Sequence, residues 1–222
     1  MPPCTPMWDD ALITSSLADA LAQRARELDE EHATLGVDAL DELPLHPILC
    51  AGLRSTPYGV LREQRYPASR ATPKRSIGDR CDIVLTPMPE SHLTDPLQSG
   101  TLFAERGVAP RDALWLEVKL AAQYCMSDGW SRANPLYSGV MLTQSMTDIR
   151  KLASEPVIAH AALILVMFNA DRATASHDLS AWYQRCIEKG LPISAPITQR
   201  FAITDRIGNS ACTVALTRVH QS

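Results

Sequence analysis

Leu114-Trp115-Leu116-Glu117-Val118-Lys119-Leu120 alternates aliphatic side chains with aromatic or charged ones. Successive side chains of a strand point to opposite faces, so Leu114, Leu116, Val118 and Leu120 form an apolar face while Trp115, Glu117 and Lys119 project from the other. A carboxylate and an ammonium therefore leave the sheet side by side. The earlier run Arg80-Cys81-Asp82-Ile83-Val84-Leu85 obeys the same rule, with Cys81, Ile83 and Leu85 on one face and Arg80, Asp82 and Val84 on the other. Pairing the two runs would bring Asp82 beside Glu117. Two carboxylates and a lysine converging on one face suit a hard divalent cation, with an amine placed to handle a water.

Working outward, Tyr58 to Tyr66 reads as a first strand, Pro67 to Gly78 as a basic hairpin connection, Asp79 to Thr86 as the second strand and Ala113 to Ala122 as the third. Between the last two, Pro87 to Arg111 carries four prolines and two glycines, the composition of a long functional or mobile loop. Upstream, Leu12, Leu17, Leu21, Ala25 and Leu28 recur near helical spacing and predict a helix over Asp10 to Leu35. An acidic loop follows over Gly36 to Leu45, then a short apolar helix around Pro47 to Leu53. Downstream, a stretch punctuated by glycine and proline leads to a helix over Gly139 to Ser154, stopped by Pro156. Val157 to Asn169 is apolar on both faces and predicts a central strand. A helix over His177 to Lys189 ends at Gly190, and a hairpin over Phe201 to Val219 turns around Gly208-Asn209. This order predicts an α/β protein with one mixed sheet flanked by helices, built as a single domain over 1–222. Its core spans about 58–169, with an N-terminal helical segment over 10–53 and a C-terminal helix and hairpin over 177–219.

A chain of 222 residues, 45% hydrophobic and 21% charged, has the makings of a globular core and excludes collagen-like or wholesale disordered classes. The net charge of -4 argues against a surface that binds nucleic acid everywhere, while leaving room for a local basic patch. Six scattered cysteines form no Cys-x-x-Cys pair, which counts against zinc ribbons, thioredoxin-like motifs and disulfide frameworks and fits a reducing cytosol. Met1 to Pro6 lacks the layout of a secretory signal, and the apolar run Val157 to Phe168 is shorter than the roughly 20 residues of a membrane span. A cytoplasmic protein without membrane contact is expected. The six histidines form no metal-ligand spacing such as His-Glu-x-x-His, and His160 reads as a hydrogen-bonded core residue of the buried strand. Neither a nucleophile elbow nor a Walker phosphate loop is present.

Asp82 on a second strand, followed by Glu117-Val118-Lys119 on a third, then a helix and a buried strand, resembles the PD-(D/E)XK nuclease superfamily, the restriction-endonuclease-like fold. The resemblance covers roughly Tyr58 to Asn169, with Cys81 where the family's name places proline. It implies a metal-dependent nuclease, a hydrolase of phosphodiester bonds in DNA, with Asp82, Glu117 and Lys119 as catalytic residues. Asp82, Glu117 and the main-chain carbonyl of Val118 would bind Mg2+, with Mn2+ as a substitute. Lys119 would position or deprotonate the attacking water, and in-line attack would leave a 5'-phosphate and a 3'-hydroxyl. The family often adds a glutamate from its first helix. Glu31 and Glu42 qualify by order, and Glu63 on the first strand is a third candidate.

Arg62, Arg65, Arg70, Lys74, Arg75 and Arg80 concentrate between the first two strands and form either a phosphate-contacting edge or a solvated hairpin. Arg80 is preferred because alternation puts it on the face of Asp82. Gln144, Asp148 and Lys151 share a helical face, so Gln144 or Lys151 could reach the metal or phosphate. The ordinary alternative is a solvated stripe opposite Leu142, Ile149 and Leu152. Trp115 could stack on a base, although packing inside the protein is the simpler role. Glu117 and Lys119 would also fit an exposed salt-bridged face, which is worth little energetically. That reading leaves unexplained an acid, Asp82, in an apolar strand. The rival to a nuclease is a non-catalytic or partner-dependent binding or assembly module of the same fold, acting with a protein partner or as a homodimer.

Overall fold

His160–Asn169 (β6) is the axis of the molecule, and its alternation sorts the whole core into two layers. In this computed structural model, which describes residues 8–67, 80–94 and 107–221, Ala162, Ile164, Val166 and Phe168 point into one apolar cluster. Ala161, Leu163, Leu165 and Met167 point into another on the opposite face. A strand apolar on both faces must be covered twice, and helices do so here.

The sheet has six strands in the order β1-β2-β3-β6-β8-β7: Gly59–Arg65 (β1), Arg80–Thr86 (β2), Leu114–Ala122 (β3), β6, Ala211–Val219 (β8) and Ile197–Ala202 (β7). β3 runs parallel to β6 and the other neighbours pair antiparallel, so the sheet is mixed, as expected. Asp10–Glu30 (α1) and Glu42–Leu53 (α2) cover one face. Ser145–Ala153 (α4) and Arg172–Glu188 (α5) cover the other.

Chain chemistry sets the boundaries. Asp9 caps α1 by accepting from the Leu12 N–H at 2.9 Å. The helix stops five residues short of its expected end because His32 takes a left-handed φ of 52°, letting the Ala33 N–H donate to the Leu28 carbonyl at 2.9 Å. Gly190, at φ 66°, ends α5 in the same way, as its sequence predicts. That helix begins earlier than His177, where the Asp171 side chain accepts from the Thr174 N–H at 2.7 Å. α2 also starts before the expected Pro47, since Pro44 falls in its first turn, where a missing N–H costs nothing. The stretch after β3 contains a small unexpected hairpin, Tyr124–Ser127 (β4) with Trp130–Ala133 (β5), turning at Asp128-Gly129 with both residues at positive φ.

His160 opens β6 half-buried, 6.4 Å from the Trp8 ring, and is not a core residue of the strand. The connection expected over Pro67 to Gly78, with Arg70, Lys74 and Arg75, lies outside the described residues except for Pro67, as does the middle of the Pro87 to Arg111 segment. Cys50, Cys81, Cys125, Cys186 and Cys212 are free thiols. No helix among the described residues is long and apolar enough to cross a membrane.

Candidate active site

Strand pairing lapses on both sides of Asp82, and the site occupies that gap. β2 pairs with β3 only over Ile83↔Leu116, Val84↔Trp115 and Leu85↔Leu114. On the other side, β1 pairs at Arg62↔Ile83 and Gln64↔Cys81, but the intervening Glu63 has a φ of 52° and makes no ladder pair. Asp82 Oδ2 takes over the work of a strand acceptor by receiving the Val118 N–H at 2.8 Å. The expected alternation fails at Cys81. Cys81 packs with Val84, Tyr66 and Trp115, whereas Ile83 and Leu85 pack on the opposite face.

Glu117 is 3% exposed. Its Oε1 accepts from the Tyr66 hydroxyl at 2.5 Å and from Lys151 Nζ at 2.9 Å. Tyr66 stacks on Trp115, ring centroids 5.5 Å apart, and Lys151 Nζ lies 4.4 Å from the Tyr66 ring centroid. Burial, reinforced by the neighbouring Asp82 carboxylate, pushes the Glu117 pKa up to about 7 against the opposing pull of Lys151 and Tyr66. Burial likewise raises the Asp82 pKa, with the Val118 N–H opposing.

Lys119 turns toward different partners from Glu117. Its Nζ donates to the Val118 carbonyl at 2.9 Å and to Glu42 Oε1 and Oε2 at 3.3 and 3.5 Å, and it pairs with Asp148 Oδ2 at 3.2 Å. Burial works against its charge, yet Asp148, Glu42 and Asp82 together raise its pKa. The ammonium is therefore a firmly protonated cation held between α2 and α4. Burial raises the Asp148 pKa too, with Glu117 adding to it.

Of the three glutamates left open by sequence order, Glu42 enters the site. Glu31 pairs with Arg24 on the surface at 3.3 Å, and Glu63 contributes its carbonyl to an Arg80 guanidinium N–H at 2.7 Å. That bond occupies part of Arg80 with a structural task. Arg65 stands directly across the β1–β2 ladder from Arg80, and Arg62 is exposed on the same strand as Arg65.

Gln144 is exposed, whereas Asp148 and Lys151 are partly buried and pair with Lys119 and Glu117. A π-helical turn, Val140–Gln144, lies between the short helix Tyr137–Gly139 (α3) and α4. Such a turn inserts a residue into the helical phase. Met141 is buried and Leu142 is 49% exposed, so Leu142 leaves the expected apolar stripe, while Ile149 and Leu152 are fully buried in it. Trp115 is fully buried, donating its indole N–H to the Pro110 carbonyl at 2.8 Å, and so cannot stack on a base.

No histidine is expected here from the sequence, yet Glu42, His46 and Asp82 each offer one donor atom within 4.8 Å of the others. Among the described residues this is the group of three or more acidic, histidine or cysteine side chains whose donors converge in that way. Glu42 and His46 are four apart on one helix, a spacing visible in the sequence but disguised once the helix is begun at Pro47. The oxygen donors around Asp82 fit a divalent cation, and Asp82 and Glu117 with the Val118 carbonyl are hard ligands of the kind Mg2+ takes. All three of those groups also receive protein hydrogen-bond donors: Val118 N–H on Asp82, Tyr66 and Lys151 on Glu117, and Lys119 on the carbonyl. Comparison with protein-family models, curated proteins and solved structures finds no match for this chain.

Proposed function

We propose that the chain is a divalent-cation-dependent nuclease of the restriction-endonuclease-like class, hydrolysing phosphodiester bonds in DNA with Asp82, Glu117 and Lys119 at its centre. The observation that carries this reading is the gap in pairing at Asp82, which sets two carboxylates and a protonated lysine together at the point where β2 and β3 part. Strand directions support the same class: β1, β2 and β3 alternate, and β3 is followed through a helix by the parallel β6.

Asp82, Glu117 and the Val118 carbonyl would hold Mg2+, or Mn2+ in its place. Such a cation polarises a phosphoryl oxygen and lowers the pKa of a bound water. Lys119, kept protonated by Glu42 and Asp148, supplies fixed positive charge for the developing phosphorane and, on releasing Glu42, an N–H to orient the attacking water. Lys151 can exchange Glu117 for a phosphate oxygen. Arg65 and Arg80 face one another across the strand ladder, an unfavourable pairing of like charges that a nucleic-acid phosphate would relieve.

The test is cleavage of linear, supercoiled and single-stranded DNA, and of RNA, by purified protein with Mg2+ or Mn2+. A protein that leaves every form uncut at high concentration is not this enzyme. Equal cutting by Glu117→Ala and Lys119→Ala removes the assignment of residues. The engaged state of every polar tip favours one rival, a partner-dependent or non-catalytic module that keeps the same fold. Co-purification of a partner chain, with no metal-dependent thermal shift of the isolated protein, would support that rival.

A further inference from the structure

We infer that Glu42, His46 and Asp82 form a second cation position, sharing Asp82 with the Asp82–Glu117 pair, whose nitrogen ligand selects a first-row transition ion such as Mn2+ over Mg2+. Two independent features point there. The first is convergence: donors bound to one ion at ordinary ligand lengths lie about 3 to 4.5 Å apart, and these three already lie within 4.8 Å. The second is His46 itself, which is 1% exposed, with neither ring nitrogen hydrogen-bonded among the described residues. A buried imidazole normally has a partner for at least one nitrogen.

The ligands come from elements that hold them in place. Glu42 and His46 share one face of α2, one turn apart, while Asp82 is pinned through its other role as acceptor for the Val118 N–H. The surrounding charge is unbalanced in favour of a cation, since Glu42, Glu63, Asp82, Glu117 and Asp148 outnumber Arg62, Lys119 and Lys151 around the position. Lys119 now satisfies Glu42 at 3.3 Å. When an ion arrives, Glu42 exchanges the ammonium for it, and Lys119 retains Asp148 and the Val118 carbonyl. Imidazole and carboxylates together suit Mn2+, Fe2+, Co2+ or Zn2+, whereas Mg2+ favours oxygen and keeps its water.

This position does not depend on nuclease activity, so binding and cutting are measured separately. Mn2+ is titrated into the purified full chain, with free Mn2+ counted by electron paramagnetic resonance and bound Mn2+ examined for nitrogen modulation of its spin echo. The expected result is bound Mn2+ that carries an imidazole nitrogen signal and persists in about a 100-fold excess of Mg2+. His46→Ala should abolish the nitrogen signal and weaken binding about tenfold or more, and Glu42→Gln should weaken it comparably. Glu117→Gln should leave the nitrogen signal in place. Glu42→Gln guards against misfolding of the buried-histidine variant, and circular dichroism checks both. The inference is overturned if wild-type protein shows no nitrogen coupling, if Mg2+ at equal concentration displaces Mn2+, or if folded Glu42→Gln binds as wild type does. DNA cut with Mg2+ while Mn2+ ignores His46 would sink this position and spare the nuclease. Nitrogen-bound Mn2+ on a protein that never cuts would do the reverse.

Discussion

The two flanks of β3 are built to opposite rules. Toward β6 the parallel ladder runs unbroken over nine pairs, from Leu114↔His160 to Ala122↔Phe168, and every β6 residue after His160 is buried. Toward β2 it stops after three pairs, and the next residue along, Asp82, supplies an acceptor that a neighbouring strand would otherwise provide. Continuous pairing makes a core, whereas interrupted pairing leaves main-chain groups that only side chains can satisfy. The polar residues are recruited to that interruption.

The sharpest way to break this contrast is Asp82→Asn. The amide oxygen still accepts the Val118 N–H, so the fold should survive while DNA cleavage in single-turnover assays falls about a thousandfold or more. Should Asp82→Asn unfold the protein, the interruption is structural rather than functional. On the other flank, Ile164→Ala removes a fully buried side chain from β6 and should cost about 2 to 5 kcal/mol in urea denaturation. Asp82→Asn should stay within about 1 kcal/mol of wild type by the same measure, because it keeps its main-chain bond.

A smaller effect comes from protonation. The Glu117 pKa rises from 4.5 to about 7 on folding, so the native state holds this proton more tightly than the unfolded chain. Its contribution to stability is complete below about pH 4.5 and is lost as pH rises through about 7. Asp82 and Asp148 act in the same sense, while buried His46 opposes it below its unfolded pKa. Urea midpoints of the metal-free protein should therefore fall more steeply with pH for wild type than for Glu117→Gln across that window. Parallel curves would mean that Glu117 is not the carrier. The smallest change should be Trp130→Ser on the β4–β5 hairpin, where the ring is 79% exposed. Thermal and urea midpoints should move by no more than about 0.5 kcal/mol equivalent.

Much of the central sheet was legible, because β1, β2, β3 and β6 announce themselves by alternation or by continuous apolar character that the structure bears out to within a few residues. The nearness of Asp82 to Glu117 came from the same rule. What alternation could not show was the lapse beside Asp82, since left-handed Glu63 and the reversed facing of Cys81 are tertiary outcomes with no local signature. The prolines of α2 hid its first turn and, with it, the Glu42–His46 spacing. Tyr66 gave no signal at the end of a strand, because its value lies in reaching Glu117, fifty-one residues away. Trp115 went where its bulk suggests, under Tyr66 and into the core.

The widened turn at Val140–Gln144 governs how this chain can be matched to a homologue of different length. Because it takes up one extra residue without rotating the rest of the helix, a version shorter by one there would still aim Asp148 and Lys151 at the sheet. An alignment that insists on equal lengths across this helix would slide both residues out of correspondence, and would erase two positions of the pocket from view.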